Sequence, residues 1–288
     1  MLICQELFMS IINPIPTEFI QSQVKLALLE DVGQQDLTAD LIPATAQAHA
    51  RLICRENGVL CGSDWLSAVF QQLDTAIQID WHKLDGDRLS ANEVICEIKG
   101  SARHMLTGER TALNFLQTLS ATASLTRRYA DAVNGLSVAL LDTRKTLPGF
   151  RMAQKYAVRC GGGVNHRFGL FDAILIKENH ILAAGSITAA VQQARALHPD
   201  ISVEVEVENL DEFSQALLAQ ADIILLDNFS PHDLKQAVNL NQSQALLEAS
   251  GGISLDNIRQ IAETGVDRIS VGALTKDIQA LDLSLRFL

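Results

Sequence analysis

Through the second half of the chain, short apolar runs alternate with helix-period stretches, and each run stops at a polar or glycine residue. Val138–Leu141 ends at Asp142, with Thr143, Arg144 and Lys145 directly behind it and the break Pro148-Gly149 beyond. Ala173–Ile176 runs into Lys177, Val203–Val207 into Glu208-Asn209, and Ile223–Leu226 into Asp227-Asn228. Leu246–Ala249 meets Ser250-Gly251-Gly252, and Ile269–Val271 meets Gly272. This alternation predicts βαβ units and a parallel sheet. Six repeats read in this way, and Val164–Phe168 supplies a seventh short strand. Helix starts are expected at or near Ser186, Leu210-Asp211, Ser230-Pro231, Ser254 and Thr275, residue types suited to caps and first turns. In a closed α/β barrel the polar strand ends face one mouth, where the active site lies.

The first half reads differently. Pro14 and Pro16 mark a lead-in loop, and Phe19, Ile20, Val24, Leu28 and Leu29 recur at helical spacing until Glu30–Gly33. Asp36-Leu37-Thr38 begins a polar turn. Ala48–Cys54, Gly58–Gly62, Ile77–His82 and Val94–Ile98 read as strands. Asp64–Leu73 reads as a helix with Asp64 as its N-cap, and Asp85-Gly86-Asp87 as a hairpin-type turn. Ala102–Tyr129 is helical, with a break expected near Ser120, and Phe150–Cys160 forms another helix stopped by Gly161-Gly162-Gly163. An α+β half with antiparallel strands therefore precedes a barrel-like half.

Composition narrows the chemistry. Of 288 residues 48% are hydrophobic but only 5% aromatic, so the core is aliphatic, as α/β folds prefer. A net charge of −11 disfavours nucleic acid and anionic membranes as partners. It leaves room for a small anion, because a local cluster of cations overrides the mean field. Five cysteines, an odd number without a C-x-x-C pair, point away from a disulfide framework and toward a reducing cytoplasm. The apolar Met1–Ile12 stretch lacks a basic region and contains Glu6, so no signal peptide is expected. No apolar run approaches membrane-spanning length.

The charged strand ends carry the candidate chemistry. In Val203-Glu204-Val205-Glu206-Val207-Glu208 the period is two, so the glutamates share one face. Turned into a barrel they require cations opposite, a role that suits Arg144 and Lys177; a purely structural ion network is the plain alternative. Lys177 also suits a Schiff-base nucleophile. His166-Arg167 behind the triple glycine suggests anion binding. Gly251-Gly252 and Gly272 fall in the last two strand-to-helix turns, where many barrels bind phosphate. Arg110 reads as a surface cation beside Glu109. The seven histidines form no H-x-H or H-x-x-x-H pair, so zinc is not expected; carboxylates beside a phosphate suit magnesium instead. No Ser/His/Asp triad signal is present.

Taken in order, Gly-Glu-Arg-Thr-Ala-Leu-Asn-Phe at 108–115, Thr-Arg-Lys-Thr at 143–146, Gly-Gly-Gly-Val-Asn-His-Arg at 161–167, Leu-Ile-Lys-Glu-Asn-His at 175–180, the Val-Glu repeat, Leu-Leu-Asp-Asn-Phe at 225–229 and Ser-Val-Gly-Ala-Leu-Thr at 270–275 closely resemble the quinolinate phosphoribosyltransferase family over nearly the whole chain. The resemblance implies a type II phosphoribosyltransferase fold. Residues 1–115 would form an α/β sandwich completed by about 276–288, and residues 116–275 an incomplete, about seven-stranded α/β barrel. It implies phosphoribosyl transfer from phosphoribosyl pyrophosphate to quinolinate with decarboxylation, in NAD biosynthesis. Arg110, Thr143, Arg144, Lys145, His166, Arg167 and Lys177 would hold quinolinate. Lys145, Glu206, Asp227, Ser250, Gly251, Gly252, Val271, Gly272 and Ala273 would take phosphoribosyl pyrophosphate, with Lys145, Glu206 and Asp227 as the catalytic set. Mg2+ would be held, indirectly, by Glu206 and Asp227. A cytoplasmic homodimer is implied, with Arg110 contributed across the interface and further assembly open. Two other functions compete on the residues alone: a Schiff-base lyase or aldolase using Lys177, and a non-catalytic anion-binding barrel. Phe150 and the Asp31–Asp36 turn depart from the family pattern without touching a proposed ligand.

Overall fold

A computed structural model describes residues 15–288; Pro14 and the Met1–Ile12 stretch lie outside the described residues. The chain divides into two compact units. The first holds the chain through Thr126, Met152–Gly162 and Asp277–Leu288; the second holds Arg127–Arg151 and Gly163–Lys276. The family resemblance put the boundary at 115. In the structure the helix Ala102–Ala132 carries the first unit eleven residues further, and the helix Arg151–Cys160 also falls mainly in that unit.

In the first unit the strands are β1 (Gln47–Cys54), β2 (Gly58–Val59), β3 (Gln78–Trp81), β4 (Arg88–Leu89) and β5 (Val94–Ser101), joined by the chain's last strand, β12 (Leu283–Phe287). Four of them form an antiparallel sheet in the order β12-β1-β5-β3. Alternation drives the pairing: Ala50, Leu52 and Cys54 of β1 are fully buried, whereas Arg51 between them is exposed. Leu52 stands opposite Cys96 on one side and Leu285 on the other, so the C-terminal strand completes a buried face that the first half leaves open.

Two local expectations are corrected here. Ala102–Ala132 is one helix with no break at Ser120. The Ser120 hydroxyl accepts the Cys61 N–H at 3.0 Å and donates to the Cys61 carbonyl; Ser124 accepts the Val59 N–H at 2.8 Å. These serines satisfy a neighbouring backbone rather than their own, so they do not interrupt the helix. Asp64 is not the cap of its helix, Ser63–Leu73. The first N–H groups instead meet Asp85, whose carboxylate accepts from Gly62 (2.9 Å), Ser63 (3.1 Å) and the Tyr156 hydroxyl (2.9 Å).

The second unit contains β6 (Ala139–Leu141), β7 (Ile174–Ile176), β8 (Val203–Val207), β9 (Ile223–Asp227), β10 (Leu246–Ser250) and β11 (Arg268–Ser270). They form one parallel sheet in the order β6-β11-β10-β9-β8-β7. Because β11 pairs with β6, the last strand of the series returns beside the first. The expected seventh strand at Val164–Phe168 is reduced to a single parallel bridge between Val164 and Leu141. Among the described residues no ladder joins this bridge to β7, so the barrel is incomplete. Helices between the strands are capped where small polar residues fall. Ser186 accepts the Ala189 N–H, Asn209 accepts the Glu212 N–H, and Ser230 precedes Pro231 in the first helical turn. The helix capped by Asn209 starts at Leu210, as expected. Thr275 lies inside Ala273–Lys276 and serves the site instead.

Candidate active site

Parallel strands of equal direction bring their C-terminal residues to one rim. In register, Ser250 of β10 stands beside Asp227 of β9, Glu206 of β8 beside Leu225, and Ser270 of β11 beside Leu141 of β6. The unit therefore gathers Thr143, Arg144, Lys145, His166, Arg167, Lys177, Glu206, Asp227, Ser250–Gly252 and Val271–Ala273 at or just behind these strand ends.

Two loops make the cationic side. Asp142, fully buried at the end of β6, accepts the Asn165 amide at 2.6 Å and the His166 N–H at 2.9 Å. Arg151 stitches the same two loops from above. Its Nε donates to Thr146 Oγ1 (3.1 Å), Nη2 to the Arg144 carbonyl (3.3 Å) and Nη1 to the Phe168 carbonyl (2.9 Å). Asp172 accepts the N–H groups of Phe168 (2.6 Å) and Gly169 (2.9 Å), which pins the far end of the second loop. Held this way, Arg144 keeps a buried Nε that makes no hydrogen bond among the described residues. Burial, and then the neighbouring Arg144 cation, push the Arg167 guanidinium below its ordinary range, against the pull of Glu204, Asp172 and Glu206. Two neighbouring guanidiniums, one with a buried donor unsatisfied among the described residues, favour an anion between them.

The carboxylates of β8 separate in depth. Glu206 sits at the rim and its Oε2 accepts the Lys177 ammonium at 2.5 Å. Glu204, two residues deeper and 3% exposed, meets His166 rather than the expected Arg144: His166 Nε2 lies 3.2 Å from Glu204 and 3.4 Å from Glu248 of β10. Arg268 completes the group at 3.2 Å from Glu248. The valines between the glutamates are fully buried, as the period-two reading requires.

His166 is held at every polar atom. The Arg167 N–H points into Nδ1 at 2.8 Å. Burial opposes charge on the ring, whereas the hydrogen bonds to Glu204 and Glu248 would hold its pKa up to about 10. The N–H directed at Nδ1 decides between them, because a doubly protonated ring would set donor against donor. A neutral ring protonated at Nε2 satisfies all three contacts. The balancing proton then belongs on Glu204, which burial and the adjacent Glu248 raise above the usual carboxylate range. Burial works the same way on Glu248, but His166 and Arg268 overcome it and hold that carboxyl low.

The glycine turns at the rim form the other side of the site. Gly251 has a left-handed φ of 90°, and a Cβ there would collide with the Asn228 side chain. Asn228 donates its N–H to the Ser250 carbonyl (2.9 Å) and its amide to Asp227 (2.8 Å), so the two turns share a wall. Asn257 closes the loop, donating to the Gly252 carbonyl at 3.0 Å and accepting the Ser254 N–H at 2.8 Å. At Gly272 a Cβ would approach Lys145 Cδ to 3.2 Å, which places the Lys145 stem over that turn. Thr275 donates to the Lys145 carbonyl at 2.7 Å, and Thr143 Oγ1 accepts the Lys145 N–H at 3.1 Å.

Arg110 lies in the first unit, exposed and without an ion pair to Glu109 among the described residues. It lines a cavity of about 540 Å³ with Asp31, Asp36, Leu37, Leu41 and Leu106. Sequence reasoning missed Asp142, Arg151, Glu248 and Arg268, whose partners are far away in the chain. It also missed that His166, Glu204 and Glu248 place donor atoms within 4.8 Å of one another, as do Cys61, Asp85 and Cys160; linear spacing of histidines and cysteines shows neither group.

Comparison with known proteins covers nearly the whole chain. Residues 36–120 match the quinolinate phosphoribosyl transferase N-terminal domain, and residues 122–286 the C-terminal domain. The nicotinate-nucleotide pyrophosphorylase (carboxylating) of Mycobacterium leprae is 41% identical over 272 residues, covering 91% of this chain and 95% of that one. A Bacillus subtilis relative is 42% identical over 258 residues, 89% of each chain. The structure of the nicotinate-nucleotide pyrophosphorylase from Francisella tularensis superposes with a TM-score of 0.94 at 51% identity, covering 96% of this chain and 98% of that one. With both domains matched in order across nearly its whole length, the chain belongs to the quinolinate phosphoribosyl transferase family.

Proposed function

We propose that the rim of the incomplete barrel holds quinolinate and phosphoribosyl pyrophosphate side by side and joins them. The chain is a pentosyltransferase of NAD biosynthesis; it forms nicotinate mononucleotide, pyrophosphate and carbon dioxide. The observation that carries the site assignment is the Arg144–Arg167 pair, two partly desolvated guanidiniums with a buried donor left over. A planar dicarboxylate supplies matching acceptors in fork geometry.

The residues then take distinct parts. Arg144 and Arg167, with Thr143, orient the two carboxylates, and Lys177 adds charge from the next strand while it steadies Glu206. Lys145, lying over the Gly272 turn, sits between the pyridine acid and the phosphates. Ser250, Gly251, Gly252 and the Val271–Ala273 turn receive the 5-phosphate on backbone N–H groups. The pyridine nitrogen attacks C1 of the ribose as the C1–O bond to pyrophosphate breaks. Glu206 and Asp227 face the positive charge that develops on the sugar. Much of the acceleration comes from holding two anions in line. The C2–carboxylate bond of the quinolinate adduct then breaks; its electron pair stays at C2, stabilised by the pyridinium nitrogen, until a solvent proton replaces carbon dioxide.

The carboxylate oxygens of Glu206 and Asp227, on adjoining strand ends, fit Mg2+ held largely through substrate oxygens. When bound, the ion would neutralise the departing pyrophosphate. Two features support a homodimer with Arg110 given to the partner's barrel: Arg110 has no ion-pair partner among the described residues, and it stands on a surface with exposed Leu37, Leu41 and Leu106. Free buried Cys54, Cys61 and Cys96 support a cytoplasmic setting. No helix of the described residues is long and apolar enough to cross a membrane. The Schiff-base alternative is disfavoured by the Lys177–Glu206 ion pair, which ties up the amine. Release of pyrophosphate and carbon dioxide on mixing the two substrates tests the assignment; binding of quinolinate without either product would support the non-catalytic barrel instead.

A further inference from the structure

We propose that Glu204 and Glu248 are positioning residues that act through His166, fixing its imidazole as the Nε2–H tautomer so that Nδ1 takes the Arg167 N–H and sets the direction of Arg167. The inference rests on the reading of Arg167 as a ligand of the anionic substrate. It adds a positioning part for His166 to the ligand part expected from the sequence.

Every polar atom of His166 in contact with the chain points the same way. Its N–H is spent on buried Asp142 at 2.9 Å. Nε2 faces two carboxyl groups, Glu204 at 3.2 Å and Glu248 at 3.4 Å, each of which offers an acceptor oxygen to an Nε2–H. Nδ1 receives the Arg167 N–H at 2.8 Å. Both ring nitrogens are thus engaged, and 9% of the side chain is exposed. What it transmits is orientation. The residue hydrogen-bonded to Nδ1 is Arg167, whose Nη1 is braced on the Ala173 carbonyl at 3.2 Å. Arg268, 3.2 Å from Glu248, anchors the lower end of the same chain of contacts. Glu204 and Glu248 come from β8 and β10, two strands apart, so the strut is triangulated from the barrel interior.

Ring nitrogen NMR on the full-length enzyme at neutral pH tests this, with the His166 signals identified by their loss in His166→Gln. The neutral Nε2–H tautomer is expected in the wild type. An imidazolium or an Nδ1–H ring would overturn the proposal, and this reading needs no variant that folds poorly. Glu204→Ala and Glu248→Ala are expected to raise KM for quinolinate roughly tenfold to a hundredfold, as misplacement of a binding group does. KM for phosphoribosyl pyrophosphate should stay within about twofold, since its loops are unaltered. Glu204→Gln, which keeps an acceptor oxygen for Nε2–H, should recover most of the loss. Equal rises in both KM values, or no rescue by glutamine in a folded variant, would contradict a positioning role. Absence of quinolinate turnover in the wild type would strike the substrate reading alone, because the ring tautomer is measured without substrate.

Discussion

A guanidinium nitrogen buried without an acceptor destabilises a folded chain by about 1–3 kcal/mol or more, and Arg144 carries one. Removing it relieves the free protein while it disables the site. Arg144→Ala should therefore lower kcat/KM by roughly a hundredfold or more, as loss of a charge-assisted contact does, with thermal stability unchanged or raised; steady-state kinetics beside a melting curve check both. Lys145→Ala should lose turnover similarly with the fold intact. Arg151 contacts no proposed ligand but bridges Thr146, Arg144 and Phe168. Arg151→Ala should weaken quinolinate binding by freeing both loops, seen as a rise in KM that Arg151→Lys does not rescue, since one ammonium cannot reach three acceptors in fixed directions. Lys177 and Asp227 were legible in the sequence because each ends an apolar run, Arg144 because it follows close behind one, and Glu206 because the period of two turns it to the same face as its neighbouring glutamates. Arg151 and Glu248 were not, because one stands in an ordinary helix and the other inside a strand, and their meaning comes from residues distant in sequence. Glu204 was legible as inward-facing, but not its partner: which cation meets it depends on a loop that returns beside β6.

At the scale of elements, period and caps did most of the work. The strands after residue 138 formed where short, largely apolar runs ended in a polar residue or glycine, since a parallel strand is covered on both faces. The short Val164–Phe168 segment gave only a bridge, because Asn165 and His166 spend their polar groups on Asp142 instead of on a neighbouring strand. The expected break at Ser120 failed for a related reason: a serine in a helix interior often serves another segment's backbone. In the first unit, Arg51 pairs with Glu97 across the β1–β5 ladder at 2.7 Å, with His49 on the other oxygen at 2.8 Å. The Arg51 hydrogen bond, then that of His49, hold the Glu97 carboxyl below its ordinary 4.5. A depressed carboxylate stabilises the fold above its unfolded value, and that contribution disappears as pH falls through the folded one. Urea midpoints should therefore show Glu97→Gln less stable than wild type at neutral pH, with the gap closing below about pH 4.5. A gap that persists in acid would mean that packing, not charge, carries the effect.

For the molecule as a whole, a chain of net charge −11 binds two anions only because its cations are concentrated where its strands end. The antiparallel sheet of the first unit was legible as strands, but its completion by the C-terminal segment was expected from the family resemblance alone, since an edge partner more than 200 residues away leaves no local mark. Arg110 poses the same problem between chains. Mixing inactive Arg110→Ala with inactive Lys177→Ala subunits should restore part of the activity, because one site in each mixed dimer would keep both residues; no recovery after verified subunit exchange would contradict a shared site. The most direct measurement is made on the wild type: supply quinolinate, phosphoribosyl pyrophosphate and Mg2+, and follow nicotinate mononucleotide, pyrophosphate and carbon dioxide together. Equimolar formation of all three, lost in Arg144→Ala, is the predicted result. Quinolinate bound with no product released, or a borohydride-trapped adduct on Lys177 with a carbonyl substrate, would contradict it.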